Sequence, residues 1–204
     1  DLDPQAASSF YCRVRPSKEL KARKILRGRK RLLKFVRGSD YDHLDVLPAK
    51  LAYRKFDALL ERLKQSRTLL AKAIRAFRDE YDVVVLDAPA GISLLSENIF
   101  DASDVVLVPV IPSTLSQRTY EQLLDFFKQY RHSKKKLVPF FSMVQAENDL
   151  HQETMQQMRA AHRRFLETEI PQSVEVERMG VRREPVLKFA GRHNSAQAYR
   201  SLCR

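Results

Sequence analysis

The chain has no tryptophan, two cysteines and five glycines in 204 residues. Each scarcity excludes something. Cys12 and Cys203 sit near opposite ends, too few for a disulfide scaffold and in no zinc-ligand spacing, so a reducing compartment is the default. The glycines, at positions 28, 38, 91, 180 and 191, form no G-x-x-x-x-G-K-S/T phosphate loop and no G-x-S-x-G nucleophile elbow. His43, His132, His151, His162 and His193 show no H-x-x-x-H or His/Cys spacing and read as surface or packing residues. No run approaches the ~18 apolar residues that span a bilayer, and the first residues carry no signal-peptide pattern. Acidic residues are outnumbered 25 to 37 by Lys and Arg, leaving a formal charge of +12. The apolar share of 44% argues against disorder. The length suits one domain that buries about 70% of its extended surface.

The positive charge is local. From Arg13 to Arg37 there are twelve Lys or Arg and one acid, Glu19, while the remaining residues are nearly neutral. Leu20, Ile25, Leu32, Leu33, Phe35 and Val36 interrupt the segment. Such a stretch is a solvated helix docked on the body, or an arm on a polyanion. DNA is the favoured polyanion, with Arg23, Lys24, Arg27, Arg29, Lys30, Arg31 and Lys34 as candidate contacts. An anionic membrane surface is a third reading.

Hydrophobic spacing predicts an α/β protein. Val83–Leu86, Val105–Val110 and Leu137–Val144 are continuous apolar runs, which fit strands buried on both faces of a parallel sheet. Pro139 weakens the start of the third. Helical spacing marks Phe56, Leu59, Leu60 and Leu63; then Leu70, Ile74 and Phe77; then Tyr120, Leu123, Leu124, Phe127 and Tyr130. Further helices are expected over about 150–166 and 196–202, another at 17–36 with Gly28 as a weak break, and a loop over 6–16. The fold class expected is a doubly wound, mostly parallel sheet with helices on both faces.

In such folds ligands bind beyond the carboxyl ends of the strands. Asp87, followed by Ala88-Pro89-Ala90-Gly91, is placed to hold Mg²⁺ through water, or else caps the next helix. Pro109-Val110-Ile111-Pro112-Ser113-Thr114 reads equally as a ligand-lining loop or a capped helix start. Asp1 and Asp3 share one side of another strand tip, a pair able to bind a metal or orient a water.

Together these residues resemble the ParA/MinD-type partition ATPases. Asp1-Leu2-Asp3-Pro4-Gln5 is similar to the D-L-D-P-Q segment after that family's Walker A helix. Tyr81 to Gly91 resembles its Walker B strand and switch, and Asp104 to Pro112 its next strand and Pro-bearing loop. Leu44-Asp45-Val46-Leu47-Pro48-Ala49 resembles its L-D-V-I-P-A strand, and Ile170-Pro171, Glu177, Pro185 and Ala196-Gln197-Ala198-Tyr199 follow its tail in order. The resemblance implies a P-loop NTPase-like fold and a single ATPase domain over 1–204 carrying a basic segment at 13–37. It implies ATP and Mg²⁺ as cofactors. Asp3 would orient the attacking water near Mg²⁺, Asp87 would hold the Mg²⁺-bound water, and Asp1 would lie beside the phosphates. Pro112 and Pro171 would line base and ribose. It also implies an ATP-bound homodimer, non-specific DNA binding, a ParB-like or other ATPase-stimulating partner, and a cytoplasmic, nucleoid-associated place. The work would be partitioning or positioning of DNA or other cargo.

Two departures stand out. The family's K-G-G-x-G-K-S/T loop would precede Asp1, where this sequence shows nothing, and without that cradle catalysis should be lost. Without the loop's strand, Val83–Leu86 should also have an unpaired edge. We therefore expect an upstream segment that this sequence lacks. The alternative is a non-catalytic relative that binds DNA or a partner. The second departure is the basic segment, which stands where the family carries a neutral or mixed loop.

Overall fold

The computed structural model describes residues 1–27, 29–63 and 66–203; the side chains of Arg27, Arg29, Lys30, Arg31 and Ser66 lie outside that description. The chain forms two units, Asp1–Ser103 and Asp104–Arg204.

The first unit is mainly helical. It runs through α1 (Ala7–Tyr11), α2 (Ala22–Arg27) and a 3-10 helix at Arg29–Phe35. A hairpin follows, β1 (Arg37–Gly38) antiparallel to β2 (Asp45–Val46). Beyond it come α3 (Phe56–Glu61), α4 (Leu69–Ile74) and α5 (Leu94–Ala102). The core gathers Leu20, Ile25, Leu26, Leu32 and Phe35 with Tyr53, Phe56, Leu60, Leu70 and Ile99. The apolar teeth of the basic segment are thus core residues, each stabilising the fold by about 1.5–3 kcal/mol. Lys21, Arg23, Lys24 and Lys34 face solvent. Of the readings open for this segment, the helix docked on the body is the one the structure shows. Gly28 and the side chains of Arg27, Arg29, Lys30 and Arg31 lie outside the described residues.

The second unit alternates strands and helices: β3 (Val106–Val110), α6 (Thr114–Gln129), β4 (Leu137–Val144), α7 (Asp149–Ala161) and β5 (Glu169–Pro171), then α8 (Val174–Arg182), α9 (Val186–Phe189) and α10 (Asn194–Leu202). The strands are parallel in the order β3-β4-β5, with Val106 opposite Leu137 and Val110 opposite Phe141. A parallel sheet with helices is the α/β class the sequence predicts. Val110, Phe141 and Val144 from the sheet pack with Tyr120 of α6, Met155 and Met158 of α7, and Phe165.

Pro139 does not interrupt β4, although β4 is the central strand. Its carbonyl accepts from Leu166 N at 2.9 Å, so its ring nitrogen faces the same side, before β5 begins at Glu169. The missing N–H costs no ladder bond there.

Several expectations are corrected. Residues 83–86 join no ladder among the described residues, and Val83, Val84 and Val85 are 75%, 40% and 81% exposed. Burial on both faces is therefore not realised, whereas the unpaired edge expected for this segment is present among the described residues. Residues 6–16 are not all loop, since Ala7–Tyr11 is helical. The helix over 150–166 ends at Ala161; His162 turns extended, and Phe165 is buried against Phe141 and Tyr120. Tyr130 lies past the end of α6 and is exposed, whereas Tyr120 and Phe127 of the same stripe are buried.

Candidate functional site

Residues 1–2 run as a strand end should, with successive amides turned to opposite sides. The amino nitrogen of Asp1 donates to Leu47 O at 3.1 Å, and Leu2 N donates to Asp87 O at 3.0 Å. Leu2 is buried and anchors the tip. Three segments far apart in sequence therefore meet, with Asp1 beside the end of the segment that carries Asp87 and Asp3 in the turn that follows.

The turn after the tip is held by carboxylates accepting from nearby amides, the job short acidic side chains do best. Asp1 Oδ1 accepts from Asp3 N at 3.1 Å, and Asp3 Oδ1 accepts from Gln5 N at 2.8 Å. Asp1 Oδ2 accepts from Ser9 N at 2.9 Å and Ser9 Oγ at 2.6 Å. Ser9 Oγ in turn accepts from the buried Ala49 N at 3.0 Å. One residue earlier, Ser8 Oγ donates to Asp87 Oδ2 at 2.7 Å. The two serines tie the start of α1 to both carboxylate tips. Burial pushes the nearby Cys12 thiol above its ordinary value, which makes it a weak nucleophile.

Asp87 does not cap the next helix. Ser93 caps α5 by accepting from Ser96 N, and Asp57 Oδ1 accepts from Leu95 N at 2.9 Å. Between Asp87 and α5, Gly91 has φ +97, a backbone shape that side chains rarely allow.

The donor atoms of this cluster are all oxygens, the carboxylates of Asp1, Asp3 and Asp87 and the hydroxyls of Ser8 and Ser9. Such a set suits Mg²⁺, which takes one or two carboxylates and fills its octahedron with waters and phosphate oxygens. Among the described residues no three His, Cys, Asp or Glu side chains converge as a self-contained metal cage. The donor chemistry, all oxygen, is what suits an ion that takes most of its ligands from water and phosphate.

In the second unit, Pro112 lies two residues past β3 and Pro171 is the last residue of β5, on the carboxyl edge of the sheet with β4 between them. Pro112 is buried. Ser113 caps α6, accepting from Ser116 N at 3.3 Å, so the capped-helix reading of this loop is realised. Gln172 N donates to Val144 O at 2.9 Å, and Gln145 bonds Gln172 through their side chains. Of the proposed nucleic-acid contacts, Arg23, Lys24 and Lys34 are described. Lys24 and Lys34 hold their ammonium groups 5.3 and 5.0 Å from the Phe35 ring centroid, a contact that steadies both chains. Ser8 and Ser9 escaped sequence reasoning, because isolated serines after a turn carry no pattern.

A parallel sheet alternating with helices is an architecture of the P-loop NTPase-like kind. The profile of the AAA domain family matches residues 1–139. The chain is 28% identical over 126 residues to the virulence plasmid ParA family protein pGP5-D of Chlamydia psittaci, a match covering 62% of this chain and 49% of that protein. It is 23% identical to the sporulation initiation inhibitor protein Soj of Bacillus subtilis across 100% of this chain and 83% of Soj. The chain thus spans about half the length of the chlamydial relative and most of Soj. In structure it is similar to McdA of Cyanothece in complex with ATP, with a TM-score of 0.84, 11% identity, and 98% of this chain and 81% of that one covered. It is also similar to cobyrinic acid a,c-diamide synthase of Mycobacterium smegmatis with bound ATP analog and magnesium, with a TM-score of 0.78, 20% identity, and 98% and 77% covered. At these identities the two structures show the fold. The chain belongs to the AAA domain family and, within it, to the ParA/MinD-type partition ATPases.

Proposed function

We propose that this chain belongs to a Mg²⁺-dependent ATPase that partitions or positions DNA or other cargo. The observation that carries the reading is the joining of the Asp1–Asp3 tip to Asp87 through Leu2 N and Ser8 Oγ. Asp3 orients the attacking water, and Asp87 holds a water of the Mg²⁺ shell. Asp1, whose carboxylate organises the turn, sits beside the phosphates. The loops of Pro112 and Pro171 serve base and ribose. Bound Mg²⁺ would neutralise charge on the phosphates.

The AAA domain profile runs through residues of both units, which supports one ATPase domain over 1–204 with a basic segment at 13–37. An ATP-bound homodimer, non-specific DNA binding through Arg23, Lys24, Arg27, Arg29, Lys30, Arg31 and Lys34, a ParB-like stimulating partner and a place on the nucleoid belong to the same reading. No helix among the described residues is long and apolar enough to cross a membrane.

The test is steady-state ATP hydrolysis by the product of the complete reading frame. Asp3→Ala is expected to reduce the Mg²⁺-dependent rate by about 100-fold or more, in the range set by losing a group that acts on the reacting atoms. Equal rates for Asp3→Ala and wild type would refute the assignment. DNA binding with no hydrolysis under any condition would favour the non-catalytic relative.

A further inference from the structure

The amino edge of the β3–β4–β5 sheet carries a second concentration of positive charge, which joins the run Lys134-Lys135-Lys136 to Arg163-Arg164 some 30 residues away. Arg131, Lys134, Lys135 and Lys136 lie between α6 and β4, and Arg163 and Arg164 lie between α7 and β5. Arg164 Nη2 donates to Lys135 O at 2.6 Å, so the two loops form one surface. The turn is built to present it: Arg131 takes a left-handed φ of 58, and His132 N returns to Phe127 O at 2.9 Å. His162 packs edge-on to Tyr120, which brings the second loop alongside α6. Arg131, Lys134, Lys135, Arg163 and Arg164 are exposed. The acids on the same edge are Asp104, one residue before Val105, and Glu167, so six cations face two carboxylates.

We infer that this edge binds the phosphate backbone of double-stranded DNA. The inference rests on the DNA-binding reading above and moves the main contact from the basic segment of the first unit to the second unit. Residues 131–136 and 162–164 include no aliphatic or aromatic hydrocarbon side chain, and the adjoining Tyr130 lays its ring against Phe126. A face of cations without apolar teeth suits a regular array of phosphates, whereas an interfacial membrane anchor needs side chains to insert. The basic segment differs in this respect, because its apolar residues are committed to the core. The cluster also lies at the opposite end of the strands from Pro112 and Pro171. Strand β4 has eight residues, about 25 Å at the usual rise per residue. Duplex on the amino edge would leave the carboxyl edge open to nucleotide.

The experiment is duplex DNA binding by the full protein, measured by fluorescence anisotropy from ~50 to ~200 mM salt. Three proteins are compared: wild type, the reversal K134E/K135E/R163E, and the charge-keeping K134R/K135R/R163K. Arg164 is left intact because it ties the loops, and thermal unfolding checks that the reversal folds. The reversal is expected to weaken binding at least about tenfold and to flatten the log–log salt slope by about 2–3, roughly one per lost phosphate contact. The charge-keeping variant should match wild type. Unchanged affinity in the reversal, with loss in R23E/K24E/K34E, would overturn this placement and leave the DNA-binding reading standing. A wild type that hydrolyses ATP yet binds no duplex would overturn the DNA face and leave the ATPase reading intact. Binding to anionic vesicles in place of DNA would overturn it in favour of a membrane surface.

Discussion

Ser9→Ala should be the most damaging small change at the site. Ser9 is 2% exposed, and its one hydroxyl serves two partners: it donates to Asp1 Oδ2 at 2.6 Å and accepts from Ala49 N at 3.0 Å. Removing it leaves a buried amide without an acceptor, which costs about 1–3 kcal/mol, and deletes a bond to a charged group worth about 1.5–3 kcal/mol. Asp1 keeps the Ser9 amide, so the two losses overlap and the net should be about 3 kcal/mol. For a chain of this size that lowers Tm by about 6–12 °C. Urea unfolding followed by circular dichroism gives the free energy directly. Ser8→Ala is the internal control. Ser8 is only half-buried and donates a single bond to Asp87, and its removal strands no buried amide, so it should cost about 1.5 kcal/mol, the lower end for a bond to a charged group. A Ser9→Ala protein within ~0.5 kcal/mol of wild type, or no less stable than Ser8→Ala, would refute the hydroxyl as the hub of this turn.

Two further outcomes follow from local geometry. Ala6 precedes α1 at φ 55, ψ 36, a left-handed shape that costs a residue with a Cβ about 1–2 kcal/mol and a glycine almost nothing. After glycine's greater chain entropy is set against that relief, Ala6→Gly should stabilise the fold by about 0.5–1 kcal/mol, read as a higher urea midpoint; a lower midpoint would contradict it. Tyr81 donates to Asp45 Oδ2 at 2.7 Å, and burial first, then that bond, pushes its hydroxyl up from 10.0 to about 12. Its neutral form is favoured in the fold, so the stability it lends is whole below pH 10 and fades between pH 10 and about 12. Ultraviolet titration of wild type against Tyr81→Phe should isolate a phenolate component near pH 12, and Asp45→Asn should lower it only partway, because burial is the larger cause.

Legibility in the sequence followed the physics of each segment. β3 and β4 were readable because a continuous β-branched or aromatic run has few other places to go. α6 was readable from its apolar stripe. Val83–Leu86 has the same pattern, yet Val83, Val84 and Val85 are exposed and only Leu86 packs on the core, because pattern describes a segment's needs and only its neighbours can meet them. β5, with three residues, and the short α1 and α9 are set by tertiary contacts more than by local spacing. Asp87 was found through a rule about strand tips, and Asp1 and Asp3 through a motif. Ser8 and Ser9 became visible only when residues some 40 and 79 positions away proved to be their partners. The amino-edge cluster was hidden for a related reason, since two loops about 30 residues apart each look like ordinary solvated charge until the sheet brings them together.

The central claim is that the linked carboxylate tips serve a Mg²⁺-bound nucleoside triphosphate. The direct measurement is the thermal unfolding midpoint of the product of the complete reading frame, with ATP, with Mg²⁺, and with both. The account predicts a rise of several degrees that needs both together, corresponding to about 2.7 kcal/mol at a ligand concentration 100 times Kd. It also predicts that Asp87→Ala blunts the Mg²⁺ requirement. A midpoint that stays put under all three conditions would contradict the account.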